Sequence, residues 1–409
     1  MVSQYDVFYV IAVKGRVKPI DIVITLQKPK EEYQNIFNNI IELEKIGYVK
    51  RGNYVEIVNN ERSKRLFQLI SFCTRNNINY NLLFKATMLN FIKEASQKEF
   101  FTIKDIKIHP KTFQFYTTLL SKYGFLLIIS RKPLKCKLLK HHFLTDLLVF
   151  FNRKIIFYNP KHHSFIGEIK KELQKYRRNI KIHYTVLQNI EHKEEINFIY
   201  TSLHLEGNPL TLPETQKLIE KDIVPENHKL FHVQEVINYK KAVDSMIENA
   251  KNKVLLNLDL ILQYHNIAMN HIHGAGELRK QNVRIQFNPE FKTSDWRLIP
   301  VKLNDLLKRY NEFKAKKGDI SKIIEFASFF HNEFQRIHPF IDGNSRISRL
   351  LLLHIIRSYD IPALDLPLGY FDLYLDLTKR STKRDDKSFQ YLIEEIIFMN
   401  LKQINSAIT

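Results

Sequence analysis

The stretch HPFIDGNSRISR, His338–Arg349, decides the fold of the C-terminal half of the chain. An amphipathic helix with an apolar stripe precedes it, and a very apolar helix, Ile347 through Ile356, follows. Pro339 cannot continue the first helix, and Gly343 permits backbone geometry that other residues rarely adopt. The sequence therefore predicts a loop between two helices, with Gly-Asn-Ser placed where the second helix begins.

The residue types in this loop suit the handling of phosphate groups. The free N–H groups of a helix N-terminus, together with the helix dipole, bind anions. Arg346 and Arg349 are three residues apart, so they lie near one helix face and can add bidentate phosphate contacts. Asp342 offers a hard oxygen suited to Mg²⁺, and His338 can accept a proton near neutral pH. This combination predicts phosphoryl or nucleotidyl transfer.

The segment resembles the signature of the Fic family, HxFx[D/E]GNGRxxR, and departs from it at one defined position. Ser345 stands where the family has its second glycine. The resemblance covers roughly residues 190–400, about half the chain. It implies an all-helical C-terminal domain that moves AMP from ATP onto a Tyr, Thr or Ser hydroxyl of a target protein.

The resemblance also implies roles for single residues. His338 would be the general base, and Asp342 would hold Mg²⁺. The residues that would bind the nucleotide are Gly343, Asn344, Ser345, Arg346 and Arg349. The Ser345 N–H can still donate, but its side chain can crowd the phosphates or restrict the backbone. We therefore expect slower or altered activity and not its loss.

A second segment, YTSLHLEGNPLT (Tyr200–Thr211), resembles the inhibitory motif of the family, [S/T]xxxE[G/N]. Ser202 and Glu206 are four residues apart, so they share a helix face, and Gly207 follows them. In the family, this Glu pairs with the second Arg of the signature and blocks productive placement of the γ-phosphate. The resemblance therefore implies an inhibitory contact between Glu206 and Arg349.

A third segment, Gly276–Pro300, lies where the family has a β-hairpin flap that clamps the target backbone by strand addition. Val283, Ile285 and Phe287 alternate as the residues of a strand do. We therefore predict a β-hairpin flap here.

Nearly all the excess positive charge lies in the N-terminal half. Residues 1–190 contain 33 Lys and Arg against 14 Asp and Glu, whereas residues 191–409 contain 30 against 29. A basic half beside a neutral half favours a module that faces a polyanion. The alternative is that lysine is simply a common surface residue.

The pattern of the basic half predicts two winged-helix-like units. Residues 5–58 have the pattern of three helices and a hairpin that turns at Arg51-Gly52-Asn53. The order recurs with helices between Met88 and Gly124 and a second hairpin that turns at Arg131-Lys132-Pro133. Lysines and Arg131 crowd the second hairpin, which suits a phosphate backbone. DNA contact and protein docking both remain open for this half.

We therefore expect a mainly α protein whose Fic domain is preceded by α+β winged-helix-like units. The expected parts are a winged-helix-like domain at 1–60, a second at 61–155, a helical linker at 156–190 and a Fic domain with its inhibitory helix at 191–409. Two alternatives remain for the function. One is a Fic-fold enzyme that uses another nucleotide or phosphodiester donor, or removes AMP. The other is a catalytically silent Fic module on a DNA-binding transcription regulator.

The remaining signals concern location and partners. No stretch approaches the roughly 20 apolar residues that span a bilayer, and the N-terminus lacks a positive region ahead of its apolar run. Cys73 and Cys136 match no metal or redox spacing. We expect a cytoplasmic protein that uses ATP and Mg²⁺, acts on a target protein with an acceptor hydroxyl and has no membrane partner. DNA and a second copy of the chain are left open as partners.

Overall fold

The computed structural model describes residues 2–154, 156–158, 163–226, 228–285, 288–316, 318–362 and 365–408. Within these ranges the chain is mainly helical, as predicted. It divides into two compact units, residues 1–116 with 142–158, and residues 117–141 with 159–409. The four predicted domain bounds stay predictions.

The helices are numbered in chain order. Those up to residue 158 are α1 (Gln4–Lys14), α2 (Pro19–Thr25), α3 (Tyr33–Lys45), α4 (Glu61–Arg75), α5 (Tyr80–Leu83), α6 (Ala86–Ser96), α7 (Pro110–Lys122) and α8 (His142–Phe150). Those that follow are α9 (Ile166–Ile182), α10 (Tyr184–His204), α11 (Leu212–Lys221), α12 (Leu230–Lys251), α13 (Leu258–Ala268), α14 (Ile299–Lys314), α15 (Ile320–Ile337), α16 (Asn344–Arg357), α17 (Phe371–Leu377) and α18 (Asp386–Ile408).

The first unit contains a small antiparallel sheet. Its strands β1 (Arg16–Val17), β2 (Val49–Arg51) and β3 (Val55–Ile57) lie in the order β1-β3-β2. The hairpin predicted around Arg51-Gly52-Asn53 is the pair β2 and β3, and the three helices predicted ahead of it are α1 to α3. The identification of this arrangement as a winged helix remains a prediction.

The second predicted hairpin belongs to the second unit. Strands β4 (Leu126–Arg131) and β5 (Leu134–Leu138) pair antiparallel, with a register shift between Ile128 and Ser130. Lys137 Nζ lies 2.7 Å from Glu395 Oε1, so an ion pair ties β5 to α18. One of the lysines that the sequence assigned to phosphate contact is therefore already paired with a carboxylate.

Helix α16 is the centre of the second unit. Every residue from Asn344 to Ile356 is buried, and α10, α12, α13 and α15 pack against it. A helix that is covered on all sides cannot move freely, so the residues at its N-terminus are held by the core. The loop before α16 is thus set on a rigid element.

The predicted β-hairpin flap is wrong for the part of Gly276–Pro300 that the structure describes. Residues 276–285 and 288–300 contain no strand, and Phe287 lies outside the described residues. Hydrogen bonds from side chains to the backbone hold the segment instead. Thr293 Oγ1 donates to Val283 O at 3.0 Å, and Asn282 Oδ1 accepts from the Trp296 N–H at 3.0 Å. Alternating apolar residues alone do not form a strand where such contacts replace the backbone hydrogen bonds between strands.

Within the described ranges, no helix combines the length and the apolar character that a bilayer crossing requires.

Candidate active site

The loop that carries His338 begins and ends in left-handed backbone conformations. His338 follows α15 with φ 51° and ψ 61°, and its N–H donates to Phe334 O at 2.9 Å. Gly343 precedes α16 with φ 80°, and a Cβ at this position would lie 2.8 Å from Met269 Sδ. The left-handed backbone angle therefore favours glycine at 343, and the close approach of Met269 adds to this preference.

Two side chains fix the middle of the loop. Asn344 Oδ1 accepts the Phe340 N–H at 2.9 Å, while its Nδ2 donates to Phe340 O at 2.8 Å. The His265 ring stacks on Phe340 with centroids 3.6 Å apart. Since His265 Nδ1 accepts the Gly276 N–H at 2.8 Å, its Nε2 carries the proton and donates to Asp342 O at 3.0 Å. The Asn344 side chain thus orders the loop, although the resemblance assigns this residue to the nucleotide.

Arg279 fixes the start of the loop from the segment predicted to be a flap. Within the described part of the chain, the acceptors of this buried guanidinium are carbonyl oxygens: Nε donates to His338 O at 2.7 Å, Nη1 to Gln281 O at 2.6 Å, and Nη2 to Ser294 O at 2.5 Å and Ile337 O at 3.5 Å. The last carbonyls of a helix lack partners within the helix and carry negative partial charge. Arg279 therefore satisfies the end of α15 just where His338 leaves it.

The surroundings of His338 leave one ring nitrogen free to accept a proton. Nδ1 lies 3.1 Å from Gln335 O, and because a carbonyl only accepts, Nδ1 carries the hydrogen and Nε2 does not. Burial, together with the positive charges of Arg279 and Lys379, lowers the pKa of His338 to about 4. The imidazole is therefore neutral at pH 7 and competent as a base.

The N-terminus of α16 offers unused donors. Among the residues that the structure describes, no acceptor lies within hydrogen-bond distance of the N–H groups of Asn344, Ser345 and Arg346. These three N–H groups, with the positive end of the helix dipole, form an anion site beside the loop. The backbone of Ser345 contributes to it as a glycine would.

Asp342 fits a divalent cation. Its side chain is 62% exposed, Oδ1 accepts the Gly343 N–H at 2.6 Å, and Oδ2 lies 3.1 Å from Arg346 Nη2. A carboxylate has about four lone-pair positions, so both oxygens keep room for a further partner. Mg²⁺ commonly takes one or two carboxylates together with phosphate oxygens and water, which this exposed position allows.

Arg346 has a buried partner that the sequence did not reveal. Its Nη1 forms an ion pair with Glu235 on α12, and its Nε has no partner among the described residues. The other carboxylate oxygen of Glu235 accepts from Asn208 Nδ2 at 2.7 Å. Glu235 thereby links Arg346 to Asn208, which directly follows Glu206 and Gly207 in the chain.

Arg349 is held by the end of α10. Its Nε donates to Ser202 Oγ at 2.7 Å, and its Nη2 donates to Ser202 O and to Glu206 Oε1, both at 2.9 Å. Its Nη1 lies 3.5 Å from the hydroxyl of Tyr374. The structure thus brings Glu206 and Arg349 together across 143 positions of sequence.

Glu206 is held as a carboxylate by several positive charges. Burial alone would raise its pKa, but Arg349, Lys379 and Arg346 outweigh burial and lower the pKa to about 2. Lys379 pairs directly with the second carboxylate oxygen. Gly207 follows with φ 92° and ends the helical segment there. Glu206 is therefore ionised throughout the physiological range.

A chain of hydroxyl groups connects the two arginines. Ser202 Oγ accepts from Arg349 Nε, so its own proton is free to go to Tyr239 Oη at 2.8 Å. Tyr239 then donates to Arg346 O at 3.4 Å. Movement at the end of α10 is thus connected to the backbone of the first turn of α16.

All residues that the sequence proposed for the site lie in this one region of the second unit. The sequence reasoning did not identify the side chains that hold them, which are Tyr239, Glu235, His265, Arg279 and Lys379. None of them belongs to a recognised motif. Contacts between residues far apart in the chain also leave no periodic pattern in the sequence from which they could be predicted. The single available signal was the position of Arg279 inside a segment already assigned to the site.

The family comparison agrees with this geometry. A model described as the Fic/DOC family matches residues 255–356, a span that includes His265, Arg279, the loop and α16. Residues 255–356 form a Fic/DOC family domain. Of the side chains that pair with Arg346 and Arg349, those of Ser202, Glu206 and Glu235 lie on the N-terminal side of this Fic domain. Asp342 lies within it, and Tyr374 lies on its C-terminal side, as does Lys379, the second partner of Glu206.

Similar proteins include the protein adenylyltransferase Fic of Drosophila willistoni, 24% identical over 207 residues, which are 50% of this chain and 40% of that protein. The protein of the same name from Drosophila erecta is 26% identical over 211 residues, 50% of this chain and 41% of its own length. The match thus spans less than half of these relatives. A Fic domain containing signaling protein from Bacteroides thetaiotaomicron shares the fold, with a TM-score of 0.53 at 21% identity over 59% of this chain and 97% of its own.

Proposed function

We propose that the chain is an autoinhibited protein adenylyltransferase that moves AMP from ATP onto a Tyr, Thr or Ser hydroxyl of a target protein. The observation that carries the proposal is the buried, neutral His338, whose unprotonated Nε2 lies on the loop leading into the free N–H groups of α16. A base beside an anion site is what attack of a hydroxyl on a phosphate requires. The name of the Drosophila relatives supports the same chemistry.

In this proposal His338 removes the proton of the target hydroxyl. The hydroxyl oxygen attacks the α-phosphate of ATP, a new P–O bond forms, and the bond to the β-phosphate breaks so that pyrophosphate leaves. Gly343, Asn344 and Ser345 line the anion hole, the free N–H groups of Asn344, Ser345 and Arg346 donate to phosphate oxygens, and the side chains of Arg346 and Arg349 bind the outer phosphates. Because Nδ1 donates to Gln335 O, the proton is taken at Nε2.

Asp342 would hold the Mg²⁺ that accompanies ATP. The ion would neutralise phosphate charge and orient the pyrophosphate as a leaving group. The protein's own contribution is the exposed carboxylate, which the Gly343 N–H and Arg346 keep at the N-terminus of α16.

The restraint acts through Arg349. Two of its nitrogens are already used by Ser202 and Glu206, and Lys379 neutralises the remaining oxygen of Glu206. With its charge satisfied, Arg349 is not free to bind the γ-phosphate, so ATP does not take the productive position. Ser202, Glu206 and Gly207 form the inhibitory element in this proposal.

The remaining expectations complete the proposal. The enzyme would act in the cytoplasm, and the winged-helix-like N-terminal region would select or localise the target. The charge of residues 1–190 supports a polyanion partner such as DNA for that region.

Intact-mass spectrometry tests the proposal. The full-length Glu206→Gly protein is incubated with ATP and Mg²⁺, beside the same variant that also carries His338→Ala. We expect the first protein to gain the mass of one or more AMP groups through automodification and the second to gain none. An equal gain in both would remove His338 from the mechanism. A gain in neither, with a purified candidate target also unmodified, would contradict AMP transfer and direct attention to other donors.

A further inference from the structure

The second unit contains a basic cavity whose residues take no part in the candidate active site. The cavity has a volume of about 260 Å³ and lies between β4, α9 and α18. The positive side chains that line it are Arg131, Lys175, Arg178 and Lys402. They come from three separate elements. The charges are therefore brought together by the fold, since they are not neighbours in sequence.

One carboxylate faces this set of charges, and it is already paired. Glu172 Oε1 lies 2.9 Å from Lys175 Nζ and 3.3 Å from Lys402 Nζ. Within the described ranges, Arg131 and Arg178 have no carboxylate within ion-pair distance. The cavity therefore keeps an excess of positive charge and two guanidinium groups without a counterion.

The floor of the cavity is built from fixed polar groups. Buried Asn405 on α18 donates to Glu172 O at 2.9 Å and to Glu172 Oε2 at 3.0 Å. Asn179 Nδ2 on α9 donates to Asn405 Oδ1 at 3.1 Å. The ion pair of Lys137 with Glu395 ties the hairpin to α18 on the third side. An anion that enters the cavity would meet charges whose supporting elements are already in place.

We propose that this cavity binds the phosphate groups of an anionic ligand. Guanidinium groups match the geometry of phosphate oxygens, and two of them have no carboxylate partner here among the described residues. The volume is below the roughly 300–1,000 Å³ of pockets that enclose whole drug-sized ligands, so the cavity suits a short phosphate chain or part of a phosphate backbone.

Titration calorimetry with sodium tripolyphosphate, at low ionic strength and on the full chain, tests the site. Arg131→Ala/Arg178→Ala should weaken binding at least about tenfold, since it removes two charge-assisted contacts. Lys308→Ala/Lys322→Ala removes two exposed charges of the same unit outside the cavity and should weaken binding far less. Binding at the Fic loop is common to all these proteins, so their differences report on the cavity.

A variant with the opposite expected effect distinguishes binding in the cavity from nonspecific attraction by the net charge of the protein. Glu172→Gln removes the negative charge of the cavity but keeps an acceptor for Asn405, so it should tighten tripolyphosphate binding. Equal weakening by both double variants, or no binding by the wild type, would overturn the proposal. Melting temperatures confirm that each variant is folded.

Duplex DNA identifies the source of the phosphates. Binding of a labelled 20-base-pair duplex is followed by fluorescence anisotropy over a range of salt concentrations. If Arg131→Ala/Arg178→Ala weakens DNA binding and lowers its salt dependence, the ligand is a nucleic-acid backbone. If only tripolyphosphate binding is lost, the ligand is a small phosphorylated molecule.

Discussion

The loop 338–343 and the end of α10, residues 202–207, both contact α16 but are held by different forces. The loop is fixed by hydrogen bonds between Asn344, His265, Arg279 and backbone groups of the loop. The end of α10 is held mainly by ion pairs of Glu206 with Arg349 and Lys379. A scaffold of backbone hydrogen bonds is hard to remove without unfolding, whereas a contact between charges is lost with a single carboxylate. The loop that carries His338, the proposed base, is thus a permanent part of the fold, whereas the proposed restraint by Glu206 can be removed separately.

The largest expected effect is the loss of the loop scaffold. Arg279→Ala leaves the carbonyls of His338, Ser294 and Ile337 without their buried donor, so we expect a loss of about 3–5 kcal/mol in the free energy of unfolding. Urea unfolding measures it. Arg284→Ala, at an exposed arginine of the same segment, is the control and should change stability by less than about 0.5 kcal/mol. Similar losses in both variants would show that the loop does not depend on Arg279.

This scaffold marks the limit of what the sequence predicted about the fold. The helices α15 and α16 could be predicted because apolar residues recur at helical spacing and Pro339 and Gly343 interrupt them. The flap prediction was wrong in the described residues because Val283 and Ile285 alternate like a strand, yet hydrogen bonds from side chains to the backbone hold that segment in an irregular form. The local sequence pattern predicts the secondary structure of a helix of several turns. It does not predict the conformation of a short segment that is held by contacts with other residues.

The same limit applies to the site. The motif residues from His338 to Arg349 were found because they are close in sequence and because their residue types indicate their chemistry. Glu235 was not found because its partner Arg346 is 111 positions away and a single Glu on an amphipathic helix resembles a solvated one. The contact of Glu206 with Arg349 was expected from the resemblance alone, since nothing in residue spacing indicates it.

The second prediction breaks the restraint and leaves the loop intact. Glu206→Gly frees Arg349 for the γ-phosphate, and one recovered charge-assisted contact corresponds to roughly a 10–100-fold gain in the rate of AMP transfer. The rate is measured with radiolabelled ATP on automodification or on a target. Glu206→Gln, which is neutral but can still accept from Arg349, is the matched control and should give a smaller gain. A slower Glu206→Gly enzyme would mean that Glu206 assists the reaction.

The third prediction uses pH to separate the two regions. The proposed base His338 can accept a proton only when it is neutral, and burial lowers its pKa to about 4, so kcat/KM of Glu206→Gly should fall only as the pH drops towards 4. At pH 5.5 the rate should stay close to its value at pH 7.5, whereas a solvated imidazole of pKa about 6.5 would lose about tenfold.

The restraint should also survive this pH range. Because the pKa of Glu206 is lowered to about 2, its charge and the stabilisation it provides are present above the ordinary Glu pKa and are lost only as the pH falls towards 2. The wild-type rate should therefore stay low between pH 7.5 and 5.5. Activation of the wild type in this window, with no change in Glu206→Gly, would show that protonation of some group releases the restraint.

The smallest expected effect concerns Ser345, the departure from the family signature. Its N–H is free for the anion site, and its carbonyl accepts from Ser348 Oγ at 3.0 Å, so the backbone already has the geometry that a glycine would provide. Ser345→Gly in the Glu206→Gly background should therefore raise kcat/KM only by about threefold, through removal of a side chain near the phosphates. Ser348→Gly in the same background carries the same change one turn further along α16 and should bring no gain. A lower rate for Ser345→Gly would instead assign the hydroxyl a donor role towards the phosphates, and the anion site would then include a side chain in addition to the backbone.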